Sequence, residues 1–514
     1  MKRRNFLKNI ASTGIALPLT MGFPSLRAFG KMPENSPFAR ALLSSNDRIM
    51  IMIRLSGGND GLNTIIPYTN AEYYKAREAD SLAIKAEEVI KLSGSSTMGL
   101  HPKLAPLAAL WDKKQMAIVQ NVGYPNQNLS HFRSTDIWLS GSDANVFENA
   151  GWYAKYLEDM HPEFPETMPA EPFAIELGTS LSTTLIGEKN NMGIAVSSLD
   201  FIPDAPNDNP VAQTHAGDEE LYVREIIRQS NVFSNAIVEA GKKVLQNKVT
   251  YPTNNGLAQG LAAIARLIAA GMKTQMYIIN VGGYDTHTNQ LTAQATLHEN
   301  FANAVAAFHN DAELFGFGDK VVTMTISEFG RRVVSNGTGT DHGSAAPILV
   351  FGNNVKGGFY GSDPNLTDLE GPGNIKMQYD FRQVYASVLG QWYGAAESSI
   401  SPNALPRYFE QIPLFTSMAT SVFETNGIEQ YFSVGQNYPN PAHAHTSIPI
   451  YGVVSGMEAE LTIATMDGRT IAKHRIMPGQ HFVDISTQEL PSGNYMIVLQ
   501  SGRLESSKIM TVVK

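Results

Sequence analysis

Six acidic and imidazole side chains stand in glycine-containing loops beside apolar runs, and their types suit divalent-metal chemistry. They are Asp60, Asp285, His287, Glu328, Asp341 and His342. Carboxylate oxygens and imidazole nitrogens bind hard and borderline cations. A thiolate site is excluded because the chain contains no cysteine. The pattern therefore predicts a site for divalent metal ions, and zinc, calcium, magnesium and manganese are all compatible with it.

A hydroxyl group at Ser130 is a further candidate for chemistry. Residues 130–141 show an irregular apolar face that predicts a short helix, with Ser130 as its N-cap and Gly141 at its end. The positive field of a helix N-terminus suits an anionic substrate near that hydroxyl. The competing interpretation is an ordinary capping serine.

The loop residues also have purely structural interpretations. Asp60 precedes Gly61, and Asp-Gly is a common turn pair. Histidine is a common loop residue, so His287 alone carries little information. Arg331 and Arg332 could reach an anionic group, but we expect both to be surface arginines. The prediction of a site therefore depends on the residues taken together.

Buried strands must position these side chains. Four apolar runs lack the apolar–polar alternation of half-exposed strands; they cover residues 48–55, 116–122, 275–281 and 321–326. Each leads at its C-terminal end into a loop that carries a carboxylate, imidazole or hydroxyl group, and open α/β sheets bind ligands at that edge. A fifth run, 347–351, follows Asp341 and His342. We predict an α/β domain over residues 45–395, with a doubly wound, mostly parallel sheet flanked by helices.

Helices and one insertion are predicted between these strands. Helical patterns cover residues 101–113, 147–158, 221–247, 257–270, 289–315 and 381–393. Residues 163–215 are rich in Pro, Ser, Asn and Asp, and we interpret them as an insertion over the site.

The N-terminus predicts an exported protein, and the overall charge argues against one class of partner. The net charge of −9, without a basic stripe, argues against a nucleic-acid partner. Residues 1–30 combine Arg3-Arg4, a weakly apolar stretch and small residues, which predicts a signal peptide of the twin-arginine type. That stretch is too short for a membrane span. We expect no transmembrane segment in the mature chain.

The C-terminal residues have a different texture. Residues 396–430 read as a linker, and 431–514 show short alternating runs that predict an all-β sandwich. The motifs at 437–441, 467–469 and 490–495 and the terminal Lys514 resemble the C-terminal sorting domain of type IX secretion. An ordinary carbohydrate-binding or linker β domain is the alternative.

Five ordered motifs of the larger domain also resemble a known family. They lie at 56–63, 130–132, 282–287, 327–331 and 341–343. They resemble the exported bacterial family called domain of unknown function 1501, over about residues 45–395. That family is similar to the alkaline phosphatase and sulfatase superfamily. The resemblance implies a doubly wound sheet, commonly two divalent metals, and a nucleophile that attacks phosphorus or sulfur.

Roles for particular residues follow from this resemblance. It implies metal ligation by Asp60, Asp285, His287 and His342. Ser130 matches the nucleophile position, with Ser134 and Thr135 as alternatives. Glu328 stands where the superfamily usually has an Asp-His pair.

The sequence is therefore compatible with two functions. The first is an exported, metal-dependent hydrolase of phosphate or sulfate esters, with Ser130 as nucleophile and an anionic, polysaccharide-derived ester as the expected substrate. The second is a non-catalytic cell-surface binding protein on a degenerate fold of the same kind. In both, the type IX secretion machinery is the expected partner, and the chain crosses the periplasm to the cell surface or extracellular space.

Overall fold

The computed structural model describes residues 47–77, 82–197, 210–211, 213–416 and most of 433–514; short gaps in the last range fall at 438, 452, 454–458, 466–468, 478–479, 481 and 502–503. The predicted signal peptide at 1–30 lies outside these residues. The chain divides into two compact units between residues 417 and 418. Among the described helices, none has the length and apolar character needed to cross a membrane.

The first unit is built on a nine-stranded sheet. Its order is β11-β5-β10-β9-β1-β8-β6-β7, and β12 pairs with β5. The strands are β1 Ile49–Leu55, β5 Met116–Gly123, β6 Ala174–Leu177, β7 Ile194–Val196, β8 Met276–Val281, β9 Val321–Ile326, β10 Ala346–Phe351, β11 Gly358–Tyr360 and β12 Tyr379–Asp380. The five apolar runs of the sequence correspond to β1, β5, β8, β9 and β10, so those predictions are confirmed.

Strand direction brings the predicted loops to one edge of the sheet. β1 pairs in parallel with β8 and β9. β10 is antiparallel to both β9 and β5. The C-terminal ends of β1, β5, β8 and β9 therefore share an edge with the N-terminal end of β10. This explains how a pair of residues that precedes a strand can meet residues that follow other strands.

Helices pack against the sheet through apolar side chains. Their bounds are α1 Ala71–Arg77, α2 Ala108–Asp112, α3 His131–Ser140, α4 Trp152–Met160, α5 His215–Lys243, α6 Gly256–Ala269, α7 Gln290–Phe315 and α8 Phe381–Ser387. Leu261, Phe308 and Tyr385 join the side chains of β1 in one core. Full burial of a large apolar side chain contributes about 1.5–3 kcal/mol. The predicted parallel-dominated α/β class is confirmed.

Smaller elements complete this unit. Short 3₁₀ helices span Pro102–Leu107, Thr183–Leu185 and Gly318–Lys320, and π-helical turns span Val388–Trp392 and Ser399–Ala404. β2 Ile65–Ile66, β3 Ile90–Lys91 and β4 Gly99–Leu100 form a separate three-stranded sheet. Residues from the predicted connector also belong to the core, because Leu405, Leu414 and Phe415 are buried there.

The interpretation of residues 163–215 as an insertion is wrong for the part that the structure describes. β6 pairs in parallel with β8, and β7 pairs in parallel with β6. These two strands extend the central sheet. They are only four and three residues long, and Glu176 interrupts the apolar run of β6, so the sequence pattern did not separate them from loop.

The second unit is an antiparallel two-sheet structure. One sheet has the order β13-β14-β17 and the other β16-β15-β18-β19. The strands are β13 Ser433–Val434, β14 His445–Tyr451, β15 Ala459–Thr465, β16 Thr470–Ile476, β17 Phe482–Ser486, β18 Gly493–Ser501 and β19 Leu504–Val512. Side chains of both sheets, among them Ile448, Leu461 and Ile497, form one core. The alternating runs correctly predicted this all-β architecture.

Candidate metal centre

Three histidines surround one carboxylate at the edge where the loops meet. His131 is the first residue of α3, which follows β5. Asp285 and His287 lie in the loop after β8, and His342 lies in the loop before β10. The side chains of His131, Asp285 and His342 place one ligand atom each within 4.8 Å of one another. His131, Asp285 and His342 thus form a possible metal site, and His287 lies beside it.

Two separations inside the trio match the spacing of donor atoms around one ion. Nε2 of His131 lies 3.4 Å from Oδ2 of Asp285, and Nε2 of His342 lies 3.3 Å from Oδ1. Nε2 of His287 lies 3.1 Å from the same Oδ1 and 2.9 Å from Nε2 of His342. Tetrahedral zinc with bonds of about 2.0–2.1 Å places its ligand atoms about 3.3–3.4 Å apart. The donor set therefore fits a small divalent cation.

Hydrogen bonds to the outer nitrogens determine which tautomers the rings adopt. Nδ1 of His342 lies 2.8 Å from the carbonyl oxygen of Leu129, and Nδ1 of His131 lies 3.1 Å from Oε1 of Glu328. Both oxygens accept, so both Nδ1 atoms donate. In the neutral rings the Nε2 atoms then carry lone pairs directed at Asp285. Lone pairs that face a carboxylate are repulsive unless a cation lies between them, and a metal ion or a proton meets that need.

The electrostatics of the cluster keep Asp285 charged and His342 neutral. Burial, together with the charges of Arg331 and His131, lowers the pKa of His342, although its hydrogen bonds to Leu129 and Asp285 act in the opposite direction. Partial burial raises the pKa of Asp285, but the hydrogen bond and charge of Arg331 outweigh that effect, and the pKa lies below its ordinary value. An anionic carboxylate beside a neutral imidazole is the protonation state that metal binding requires.

Arg331 joins the loops that carry the cluster. Its guanidinium donates to Oδ1 of Asp285 at 2.6 Å and to the carbonyls of Gly58 at 2.8 Å, Tyr284 at 3.1 Å and Thr340 at 2.8 Å. It also donates to the carbonyl of Gly57. The side chain is fully buried. The prediction of a surface arginine is therefore wrong for Arg331, and the reason is that five acceptors compensate its burial.

Gly57 permits the close approach of two of these loops. Its φ of +121° lies in a region that favours glycine, and an added Cβ would lie 2.1 Å from the backbone nitrogen of Asp285. The diglycine turn after β1 therefore serves backbone packing beneath Asp285.

Glu328 lies behind His131 and outside the trio. Its Oε1 accepts from the backbone N–H of Gly57 at 2.7 Å and from Nδ1 of His131 at 3.1 Å. The residue is buried. The sequence predicted Glu328 as a metal ligand, but its carboxylate contacts His131 and is not one of the three grouped residues. A carboxylate behind a metal-binding histidine fixes the tautomer and ring orientation.

Asp60 is not brought to the cluster. Its side chain is fully buried and paired with Arg77, which donates to Oδ2 and, at 3.0 Å, to Oδ1. Gln290 also donates to Oδ2, and the backbone N–H of Leu62 donates to Oδ1 at 3.1 Å. Both oxygens are thus engaged by donors of the protein. The sequence located Asp60 correctly at the end of β1, but it gave no sign that Arg77 neutralises it.

Asp341 lies at the margin of the cluster. Its Oδ1 is 3.5 Å from Nδ1 of His287, and it accepts from Asn336 at 2.9 Å. Oδ2 lies 3.4 Å from Arg332. The Asn336 hydrogen bond, followed by the charge of Arg332, lowers the pKa of Asp341 despite slight desolvation. Its position relative to His287 parallels that of Glu328 relative to His131.

Ser130 is exposed next to the cluster. It is the N-cap residue of α3, and its side chain makes no capping hydrogen bond. Its neighbours in the chain, Leu129 and His131, both contact cluster residues. Ser134 is fully buried and contacts the carbonyl oxygen of Glu328 and, at 2.7 Å, the hydroxyl of Tyr124. Of the two serines, only Ser130 offers an accessible hydroxyl.

His131 was missed as a candidate ligand in the sequence. It lies inside the Ser130-His131-Phe132 motif, in which the hydroxyl of Ser130 was the predicted reactive group. The available signal was its position at the start of a helix that follows a buried strand, the same context that singled out the other loop residues.

Comparisons with known proteins agree with the motifs. The model of a family described as "Protein of unknown function (DUF1501)" matches residues 113–402. A model described as "Secretion system C-terminal sorting domain" matches residues 436–513. Both predicted resemblances are confirmed, and the second match indicates secretion by the type IX system. No curated protein matches the sequence.

Solved structures resemble the chain at low identity. A putative sulfatase from Bacteroides thetaiotaomicron is 8% identical, with 86% of each chain covered and a TM-score of 0.34. A protein in the alkaline phosphatase superfamily from Vibrio parahaemolyticus is 9% identical, with 91% of this chain and 82% of that chain covered and a TM-score of 0.31. The BSP domain of a biofilm associated protein is 14% identical over 16% of this chain and 15% of that chain, with a TM-score of 0.14. The fold class rests on the strand order and directions given above.

Proposed function

The chain belongs to the DUF1501 family, and we propose that it is an exported, metal-dependent hydrolase of phosphate or sulfate esters. One observation carries this proposal. Three loops that are distant in sequence place His131, Asp285 and His342 within ligand distance of a common point, with the imidazole lone pairs directed inward. Packing alone does not require such convergence of imidazole nitrogens on a carboxylate.

His131, Asp285 and His342 would hold the metal ion, with His287 as a fourth donor. A bound divalent cation supplies positive charge that polarises an ester oxygen and stabilises an anion. Arg331 is fully buried and occupied by backbone carbonyls and Asp285, so it cannot also bind a substrate anion. A set with two or three imidazoles favours zinc over calcium or magnesium.

Ser130 is the proposed nucleophile. Its hydroxyl is exposed, makes no capping hydrogen bond, and stands at the N-terminus of α3 beside the ligand His131. The helix terminus favours an anionic group at this place. Glu328 and the carbonyl of Leu129 hold the two neighbouring imidazoles in fixed tautomers, which keeps the surroundings of the hydroxyl pre-organised.

Thr135, the other open alternative, lies one turn further along α3. It is half-buried and lines a small cavity together with Glu328 and Trp138. Ser130 remains the better nucleophile candidate because its hydroxyl is the exposed one.

A second function is favoured by the state of Asp60. The ion pair with Arg77 removes that acid from metal binding, so the described residues provide one metal cluster where two-metal chemistry would need two. A surface binding protein that uses a single metal to hold an anionic ligand is therefore the alternative. Both functions share the metal and differ in turnover.

The sorting domain supports a substrate outside the cell. The type IX system would recognise residues 436–513 after the chain has crossed the periplasm. We propose an anionic, polysaccharide-derived ester as the substrate class, because a bound cation would attract an anionic group and the cluster side chains are partly exposed. Asp285 is 46% and His287 41% exposed, so a large substrate could reach them.

The test is turnover of phosphate and sulfate monoesters by the full chain loaded with zinc. We expect Ser130→Ala to reduce kcat at least 100-fold while its zinc content stays at that of the wild type. Ser134→Ala is the matched control, and its folded fraction should keep kcat within a few-fold of the wild-type value. Full turnover by Ser130→Ala would refute the nucleophile. A wild-type protein that binds zinc and sulfated glycan without turnover would establish the binding alternative.

A further inference from the structure

A small cavity is lined by the side chain of Glu328. It has room for about 10 Å³ and is lined by Arg54, Thr135, Trp138, Leu139, Ile326 and Glu328. A space of this size accommodates about one water molecule when two or more polar partners are present. The residues come from β1, α3 and β9 and the loop after β9, so the cavity sits between the sheet and the helix that begins with His131.

Three of the lining residues carry buried polar atoms without a hydrogen-bond partner. Among the described residues, Oε2 of Glu328, Nε of Arg54 and Nε1 of Trp138 are all unpartnered. Glu328 and Trp138 are only 4% and 3% exposed. Native proteins rarely leave a buried carboxylate oxygen or indole N–H unsatisfied. Three residues that line one cavity and each carry such an atom indicate a missing common partner.

The chemistry of the three atoms identifies that partner as water. Arg54 and Trp138 each present a donor, and Glu328 presents an acceptor. A water molecule can accept from both donors and donate to the carboxylate. A metal ion does not fit, because two N–H groups would face it, and an anion does not fit beside Glu328. Direct contact is ruled out for the charged pair, since no ion pair within 4.0 Å joins Arg54 to Glu328 in the described part of the chain.

We propose that one ordered water molecule occupies this cavity and links Arg54 and Trp138 to Glu328. The water fixes the rotation of the Glu328 carboxylate, whose other oxygen holds Nδ1 of His131 and the N–H of Gly57. Glu328 is thereby a positioning residue that acts through His131, and Arg54 and Trp138 support it from behind. The consequence for metal affinity rests on the proposed metal site.

The first measurement is a crystal structure of the full chain at a resolution that shows ordered water. We expect density for one water molecule within hydrogen-bond distance of Oε2 of Glu328, Nε of Arg54 and Nε1 of Trp138. This result does not depend on metal binding. A dry cavity, or side chains that close it by direct contact, would overturn the proposal.

The second measurement is zinc affinity by competition with a chromophoric chelator. Trp138→Phe removes the indole donor and should weaken zinc binding about 3- to 10-fold, and Glu328→Leu about 10- to 100-fold, the range found for partners of ligating histidines. Glu328→Gln keeps an acceptor for His131 and should fall between the wild type and Glu328→Leu.

Trp152→Phe is the matched control for this series. Nε1 of Trp152 is also buried and unpartnered, but the residue does not line the cavity. Its zinc affinity should equal that of the wild type. Equal affinities for Trp138→Phe and Trp152→Phe would overturn the positioning role. A wild-type chain without any zinc affinity would instead overturn the proposed function, while the crystal structure would still decide the water.

Discussion

Nε2 of His131 faces Oδ2 of Asp285 across 3.4 Å, and in the neutral tautomer that Glu328 favours this nitrogen carries a lone pair. The two atoms come from loops that follow β5 and β8, on either side of three intervening strands of the sheet. The same arrangement recurs between His342 and Asp285. A cation between these groups converts repulsion into binding, and the predictions below follow from that arrangement and from the interactions that hold it.

Zinc should stabilise the folded chain, and calcium should not. Two or three imidazole nitrogens with one carboxylate favour zinc over the hard cations. At a free zinc concentration 100 times the dissociation constant, binding adds about 2.7 kcal/mol to the free energy of unfolding. Thermal melts with zinc, calcium and magnesium at equal concentrations check this. An equal rise of Tm with calcium would contradict the assignment of the imidazoles as ligands.

Asp60→Asn should destabilise the fold and leave the zinc stoichiometry unchanged. The substitution removes the charge partner of buried Arg77, and breaking a buried ion pair costs about 3–5 kcal/mol. Urea unfolding and zinc analysis of the folded fraction measure the two effects. Glu72→Gln, which breaks an exposed pair with Lys75, is the control and should change stability by at most about 1 kcal/mol. Loss of zinc from a stable Asp60→Asn protein would mean that Asp60 is a ligand after all.

Arg331→Lys should be far more damaging than Arg332→Lys. Lysine keeps the charge but cannot reproduce the planar fork that joins the loops of Gly58, Tyr284 and Thr340. Buried carbonyls that lose their donor cost about 1–3 kcal/mol each. Arg332 is about one-third exposed, and its substitution should be nearly neutral. Chemical unfolding of both variants compares them, and similar stabilities would refute the joining role of Arg331.

Stability should fall as the pH is lowered from about 6.5 to about 4. Burial lowers the pKa of His309 to about 4, and burial followed by the charge of Lys103 lowers the pKa of His101 to about 4. Because the unfolded chain binds these protons near pH 6.5 and the folded chain does not, stability is complete above that pH and is lost toward pH 4. The loss is about 3 kcal/mol for each residue.

His309→Gln tests this pH dependence. The variant should unfold with a flatter pH profile than the wild type between about pH 6.5 and 4, because one buried titrating group is gone. His445→Gln, at an exposed strand position, serves as the control and should keep the wild-type slope. Identical slopes for the wild type and His309→Gln in urea unfolding would contradict the assignment.

The sequence predicted the strands well because their signal is local. β1, β5 and β9 are uninterrupted apolar runs, a pattern that few other elements share. The reversed direction of β10 is not a local property, yet it is what brings His342 to the edge where Asp285 lies. Short strands such as β7 carry too few residues for any period to emerge.

The roles of individual site residues depended on partners that the sequence does not display. Asp60 and Asp285 both follow strands in diglycine loops. Arg77 neutralises Asp60 completely, whereas Arg331 leaves a face of Asp285 open to the histidines. Glu328 and His131 could not be ranked as orienting group and ligand without the direction of their side chains. Loop position thus predicts where a site lies, and tertiary contacts decide which residues form it.

The most direct test is the elemental metal content of the mature protein, purified folded through its own export route without chelator. We expect about one equivalent of a divalent metal, and the imidazole-rich donor set favours zinc. Asp285→Ala, His342→Ala and His131→Ala should each lose it, while the exposed His445→Ala keeps it. A well-folded wild-type protein without metal, or full metal content in all three variants, would mean that these residues do not form a metal site.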